Sequence, residues 1–167
     1  MQARMLPQFI VLMLAFSFSP TAVHAGEDFA PQTIAQSERC PVCGMYPARF
    51  PQWHAQIVFR DGEHTSFDSA AEVFRFLNDM AQYDSKHAAA DIGKIFVPAY
   101  GTGAWLDARL SFFVAGSKAK GPMGSDFPAF ASKEEAIRFT QTSGGKMLTF
   151  DQATAAVLAD SSHMHTH

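Results

Sequence analysis

Apolar and polar residues alternate through "HAQIVFR" (54–60), and the run ends at Asp61-Gly62, a hairpin turn signal. "EHTSF" (63–67) follows as the returning strand. The period then changes. In "DSAAEVFRFLNDM" (68–80), Val73, Phe74, Leu77 and Met80 fall at helical spacing on one face. Ser69 and Glu72 form the S-x-x-E box that starts such a helix. After a polar loop, "GKIFVPAY" (93–100) reads as a strand, and "AWLDARLSFFVAG" (104–116) as one long strand.

A second helix repeats the first. "FASKEEAIRF" (130–139) aligns with "FDSAAEVFRF" (67–76) at an offset of 63, with identity at five of ten positions. Each helix leads into Gly-Lys and an apolar strand, "GKIFV" after the first and "GKMLTF" after the second. Matched features in the same order indicate a duplicated unit. The expected fold is α+β: tandem β-β-α-β units over residues 39–100 and 101–160, with a flexible leader at 26–38. Asp151 is expected to cap a last helix, "QATAAVLAD", and residues 161–167, "SSHMHTH", to form a disordered His/Met tail.

The first 25 residues alter the setting. Arg4 is a short basic region, Phe9 to Phe18 an apolar run too short to span a bilayer, and "VHA" (23–25) a small-residue cleavage site. A secretory signal cut after Ala25 is expected. Both cysteines, Cys40 and Cys43, lie beyond that site, so a soluble exported protein without a lipid anchor is expected. Losing Arg4 leaves 12 basic against 16 acidic residues, a formal charge of −4. An acidic, aromatic-rich chain is a poor nucleic-acid binder.

The chemistry concentrates in "ERCPVCGMYPARFPQWH" (38–54). A C-x-x-C turn serves four uses. A disulfide, structural or reversible, is one, but an oxidoreductase wants its thiol at a helix N-terminus, and Pro47 and Pro51 argue against a helix here. Structural zinc and iron–sulfur clusters want more ligands than two cysteines supply. Cu(I) is selected by soft thiolates and thioethers and needs few of them. Met45 lies two residues after Cys43, and "GPMGSDF" presents Met123 between Pro and Gly on a loop. His54 and His64 flank the first hairpin as further candidates, and "HMHTH" (163–167) offers a weak copper-capture segment. Asp61, Asp68, Asp107 and Asp126 sit where turns and caps want them.

The stretch "RCPVCGM" resembles the signature of the NosL-type accessory proteins of nitrous oxide reductase. The similarity continues through "FDSAAEVFRFL", "WLDARLSFFVAGS", "GPMGSDFPAF" and "GGKMLTFDQA", covering most of residues 38–152. The resemblance implies a periplasmic, non-enzymatic Cu(I) chaperone with Cys43, Met45 and Met123 as metal positions and Cys40 alongside. It implies apo nitrous oxide reductase and an ABC-type maturation complex as partners. The chain itself is expected as a monomer or homodimer, with one Cu(I) per chain or one shared by two chains. It also implies a tandem α+β fold distantly like organomercurial lyase. The competing readings are a thiol–disulfide oxidoreductase and a periplasmic binding protein with a structural disulfide.

Overall fold

A computed structural model describes residues 28–164, with side chains described as far as Ala159. The expected signal segment and residues 165–167 lie outside the described residues. The first sheet holds β1 (Ala55–Phe59), β2 (His64–Phe67), β3 (Ile92–Pro98) and β4 (Trp105–Asp107) in the order β2-β1-β3-β4, all antiparallel. Between β2 and β3 run α1 (Ala70–Asn78) and the short α2 (Met80–Tyr83). The second sheet holds β5 (Phe112–Ala115), β8 (Ala129–Phe130) and β9 (Lys146–Thr149) in the order β8-β5-β9. A separate two-stranded ribbon, β6 (Lys120–Gly121) and β7 (Gly124–Ser125), stands between β5 and β8. Helix α3 (Lys133–Ser143) precedes β9, and α4 (Phe150–Met164) follows it, extending into the first part of the expected tail.

The duplication is visible as topology. In each unit the first strand is central, its hairpin partner lies on one side, and the strand after the helix lies on the other. The repeated Phe residues explain the sequence identity. Phe67 meets Phe76 at 5.2 Å between ring centroids, and their repeat counterparts Phe130 and Phe139 meet at 5.0 Å. Each pair pins its helix to the end of its hairpin. The two units join through Phe74, whose ring contacts Phe113, Phe127 and Phe150 at 5.1 to 5.6 Å. Helix α1 is therefore buried on more than one face, with Glu72 and Phe76 enclosed as fully as Val73 and Phe74.

Three features differ from the local pattern. The expected long strand at 104–116 divides into β4 and β5, one in each sheet. The break is a 3-10 turn at Ala108–Leu110, where the Asp107 carboxylate accepts from the Arg109 N–H at 3.0 Å and the Ser111 hydroxyl donates to the Asp107 carbonyl at 2.7 Å. Strand β1 alternates in sequence but is buried at all five positions. The leader covers its polar side: the Gln32 N–H donates to Gln56 Oε1 at 2.6 Å, and Gln56 Nε2 donates back to the Gln32 carbonyl at 3.3 Å. Phe29 lies on Gly93, where a Cβ would come within 2.4 Å of its ring. Deleting residues 26–36 should therefore lower stability by about 2 kcal/mol, because it removes the Gln32–Gln56 hydrogen bonds and the Phe29 ring that covers Gly93. A denaturant midpoint unchanged by the deletion would refute that role.

The third difference concerns the helix caps. Ser132 caps α3 as its S-x-x-E box expects, accepting from the Glu135 N–H at 3.3 Å. Its counterpart Ser69 makes no side-chain cap. Instead Asp126, fifty-five residues away, accepts from the Ala71 N–H at 3.2 Å and from its own neighbour Phe127 N–H at 2.7 Å. The β6–β7 ribbon is thus rooted on the start of α1.

Candidate metal site

The cysteine turn is closed by the backbone. The Gly44 N–H donates to the Cys40 carbonyl at 2.9 Å, and the Cys40 N–H donates to the Met45 carbonyl at 2.8 Å. Gly44 has φ of +75°, a left-handed conformation that costs a glycine little, and it lets the chain reverse directly after Cys43. Both cysteines are free thiols. Cys40 is fully buried in the core, whereas Cys43 and Met45 are half-buried. The two Sγ atoms and a Glu72 carboxylate oxygen lie within 4.8 Å of one another.

Carboxylates back the thiols. Cys43 Sγ donates to Asp68 Oδ1 at 2.9 Å, and Asp68 Oδ2 is buried without a hydrogen-bond partner. Glu72 pairs with Arg75 on its own helix. Burial raises the pKa of Glu72, opposed by the Arg75 charge and reinforced by Asp68 and Asp126. Burial also raises Asp126, to about 6. Both thiols are pushed up, Cys40 by burial and Cys43 by burial together with the Asp68 hydrogen bond.

Met123 sits at the tip of the β6–β7 ribbon with 57% of its surface exposed. The ribbon is anchored by Asp126 to Ala71, three residues beyond the Asp68 that holds Cys43. Gly121 is required by that anchor, since a Cβ there would lie 2.1 Å from Asp126 Oδ2. Gly121→Ala should cost about 2 kcal/mol of stability through displacement of a buried, hydrogen-bonded carboxylate. Thermal unfolding of the variant at neutral pH measures this, and a parent-like transition would contradict the anchor.

His54, a sequence candidate, is not among the groups gathered at the thiols. Its ring stacks on Trp105, with centroids 4.9 Å apart and planes 5° from parallel, and burial lowers its pKa. His64 instead pairs with Glu38 at 3.5 Å. The residues that local reading passed over as ligand neighbours are Asp68, Glu72 and Asp126. One signal was available: an acidic residue inside "AAEVFRF", where helical spacing puts Glu72 beside the enclosed Phe76. A second cluster, Asp61, Glu63 and His87, lies at the β1–β2 turn. Lys86 occupies it through ion pairs to Asp61 and Glu63, which makes it a charge network closing that turn onto the loop after α2.

The donor set suits a soft monovalent ion. Two thiols and a thioether share one short turn, and a second thioether is presented from the other repeat. With both thiol pKa values raised, each thiolate that binds a metal releases a proton. The sign is fixed: affinity rises with pH throughout the range below the thiol pKa values. Between pH 6 and 8, Cu(I) affinity should rise about tenfold per pH unit for each thiolate engaged. Competition titrations at several pH values test this, and a flat profile would exclude thiolate ligation.

Fold and site together define a tandem β-β-α-β protein with paired thiols, one buried and one half-buried, on a single turn. The chain belongs to the NosL family, whose family model matches residues 31–158. The copper-binding lipoprotein NosL of Stutzerimonas stutzeri is 28% identical over 140 residues, spanning 83% of this chain and 73% of that relative. The crystal structure of the copper chaperone NosL from Shewanella denitrificans superposes with a TM-score of 0.63 at 26% identity, covering 74% of this chain and 94% of the other. Among the described residues, no helix is long and apolar enough to cross a membrane.

Proposed function

We propose that this protein is an extracytoplasmic Cu(I) carrier that supplies copper for the centres of nitrous oxide reductase, alongside an ABC-type membrane complex. The observation that carries the reading is the pair of free thiols on one short turn, with Met45 on the same turn. Family membership and the copper named for two relatives support it.

The ligands in this reading are Cys43, Met45 and Met123, with Cys40 alongside. Asp68 accepts the Cys43 thiol's hydrogen bond at Oδ1 and so holds that sulfur in place. Cys43 is half-buried and Met123 is exposed, so an acceptor's ligand reaches the ion without unfolding the carrier. A site of few ligands lets the incoming group add before a donor leaves. A thiol–disulfide oxidoreductase needs a depressed thiol pKa, and the shifts here run the other way.

Two measurements test the proposal. Reduced protein is titrated with Cu(I) against a chromophoric chelator, as parent, as Met45→Ala and Met123→Ala, and as a chain ending at residue 161. Weaker competition by the Met variants with no effect of truncation supports the site; an effect of truncation alone moves copper to the tail. Mixing Cu(I)-loaded protein with apo nitrous oxide reductase should restore its activity faster than an equal amount of free Cu(I)–chelator complex. Equal rates would remove the delivery role.

A further inference from the structure

The cysteine turn is flanked by cations held in fixed positions. Arg39 and Arg49 are both exposed, and their guanidinium carbons lie over the Tyr46 ring at 4.3 and 4.6 Å from its centroid. Arg39 also donates to the Gly44 carbonyl at 3.0 Å and to the Tyr46 hydroxyl. Stacking and hydrogen bonding remove the rotamer freedom that an exposed arginine otherwise keeps. Both charges are therefore stationed at the turn that bears Cys43. Neither forms an ion pair with a carboxylate among the described residues.

The ribbon side of the site also carries two cations. Lys118 and Lys120 lead into the ribbon that presents Met123, and both are exposed without a carboxylate partner among the described residues. Lys120 lines a cleft of about 330 Å³ with Gln52, Trp53, Tyr100 and Gly101. That cleft joins the loop after Arg49 to the strand before Met123. The acidic groups nearby are committed elsewhere: Glu38 pairs with His64, and Asp68, Glu72 and Asp126 are enclosed. The chain as a whole carries a formal charge of −3, so the rim has the opposite sign to the molecule.

We propose that Arg39, Arg49, Lys118 and Lys120 form a basic rim around the sulfur ligands that seats an acidic surface of a protein partner. In its purpose this rests on the copper-carrier reading, since the partner that docks there is the one receiving the ion. A complementary patch speeds encounter and fixes orientation, which places the acceptor's ligands over Cys43 and Met123. A concave cleft between the two pairs of cations fits a protruding protein surface that brings metal ligands of its own; a lipid surface brings none.

The test needs no copper for its first arm. The apo protein is titrated with a decaglutamate peptide at low ionic strength, and backbone amide shifts are followed by NMR. Shifts confined to residues 39–53 and 118–125, weakened about tenfold in apparent affinity by Lys118→Glu with Lys120→Glu and abolished near 0.5 M salt, are expected. The control pair Lys133→Glu with Arg138→Glu makes the same charge change on the exposed face of α3 and should leave the titration within twofold of the parent. Equal weakening by the control, or shifts mapping elsewhere, would overturn the rim. Rim-dependent cosedimentation with phosphatidylglycerol vesicles in the absence of peptide binding would also overturn it, in favour of a membrane.

A second arm measures Cu(I) transfer to a disulfonated dimethylphenanthroline chelator and to its uncharged parent. The rim variants should slow the anionic chelator about tenfold at low salt and leave the uncharged one unchanged. Equal slowing of both would contradict electrostatic seating. A protein that bound decaglutamate at the rim but held no Cu(I) would refute the carrier reading and leave the rim standing.

Discussion

Replacing Cys43 with Ser should lower Cu(I) affinity by on the order of 10³-fold, about 4 kcal/mol, while leaving the protein folded. The thiolate is the one soft anionic donor in the turn that is reachable from solvent, because Cys40 is fully buried and Cys43 is not. A serine hydroxyl keeps the hydrogen bond to Asp68 but offers a hard, neutral oxygen to a soft ion. Its size and half-exposed position keep the stability cost within about 1 kcal/mol. Met123→Ala should cost less, about tenfold in affinity, because a neutral thioether is lost instead of a thiolate. The order of the two effects matters more than either size. An affinity more sensitive to Met123 than to Cys43 would mean that the ribbon, not the turn, holds the ion.

The second large effect concerns Asp126. Its pKa is raised to about 6 from an ordinary 3.8, chiefly by burial, with the Ala71 and Phe127 N–H bonds pulling the other way. A carboxyl whose folded pKa lies above its unfolded one favours folding in its protonated form. That contribution is complete below about pH 4 and is lost as pH rises through 6. At pH 7.5 the ionised, buried group costs roughly 3 kcal/mol relative to its neutral form. Asparagine keeps the acceptor oxygen for Ala71 and removes the charge. Asp126→Asn should therefore be more stable than the parent at pH 7.5 by about 2 to 3 kcal/mol, and indistinguishable from it near pH 4. Urea unfolding at the two pH values measures both differences. A variant less stable than the parent at pH 7.5 would show that the helix N-terminus favours the charge by more than burial opposes it.

That carboxylate also marks where the sequence stops being legible. Repeated Phe, Ser, Glu, Arg and Phe announced two equivalent hairpin–helix units, and the Phe67–Phe76 and Phe130–Phe139 contacts are the physical content of that match. The period-2 and helical patterns located β1, β2, α1 and β3 because each turns an apolar face to one core. Identical S-x-x-E boxes concealed different ends. Ser132 caps α3 locally, while α1 takes its cap from Asp126, a partner no local window contains. The same holds for β1, whose polar side is buried only because Gln32 of the leader meets Gln56. The division of residues 104–116 followed from Asp107, which read correctly as a turn residue but inside a run whose apolar content suggested one strand.

The site divides in the same way. Cys40, Cys43 and Met45 were legible because they share a turn. The carboxylates behind the thiols were not, because Asp68 and Glu72 come from the next hairpin and helix and meet the turn only when the first repeat closes. Met123 was legible as a presented methionine, and its attachment to α1 through Asp126 needed the tertiary fold.

X-ray absorption at the copper edge of the Cu(I)-loaded, reduced protein tests the central claim most directly. A shell of sulfur neighbours that loses scattering in Cys43→Ser, and again in Met123→Ala, is predicted. A nitrogen- or oxygen-dominated shell, or a sulfur shell unchanged by both substitutions, would contradict a copper site built from the cysteine turn and the ribbon.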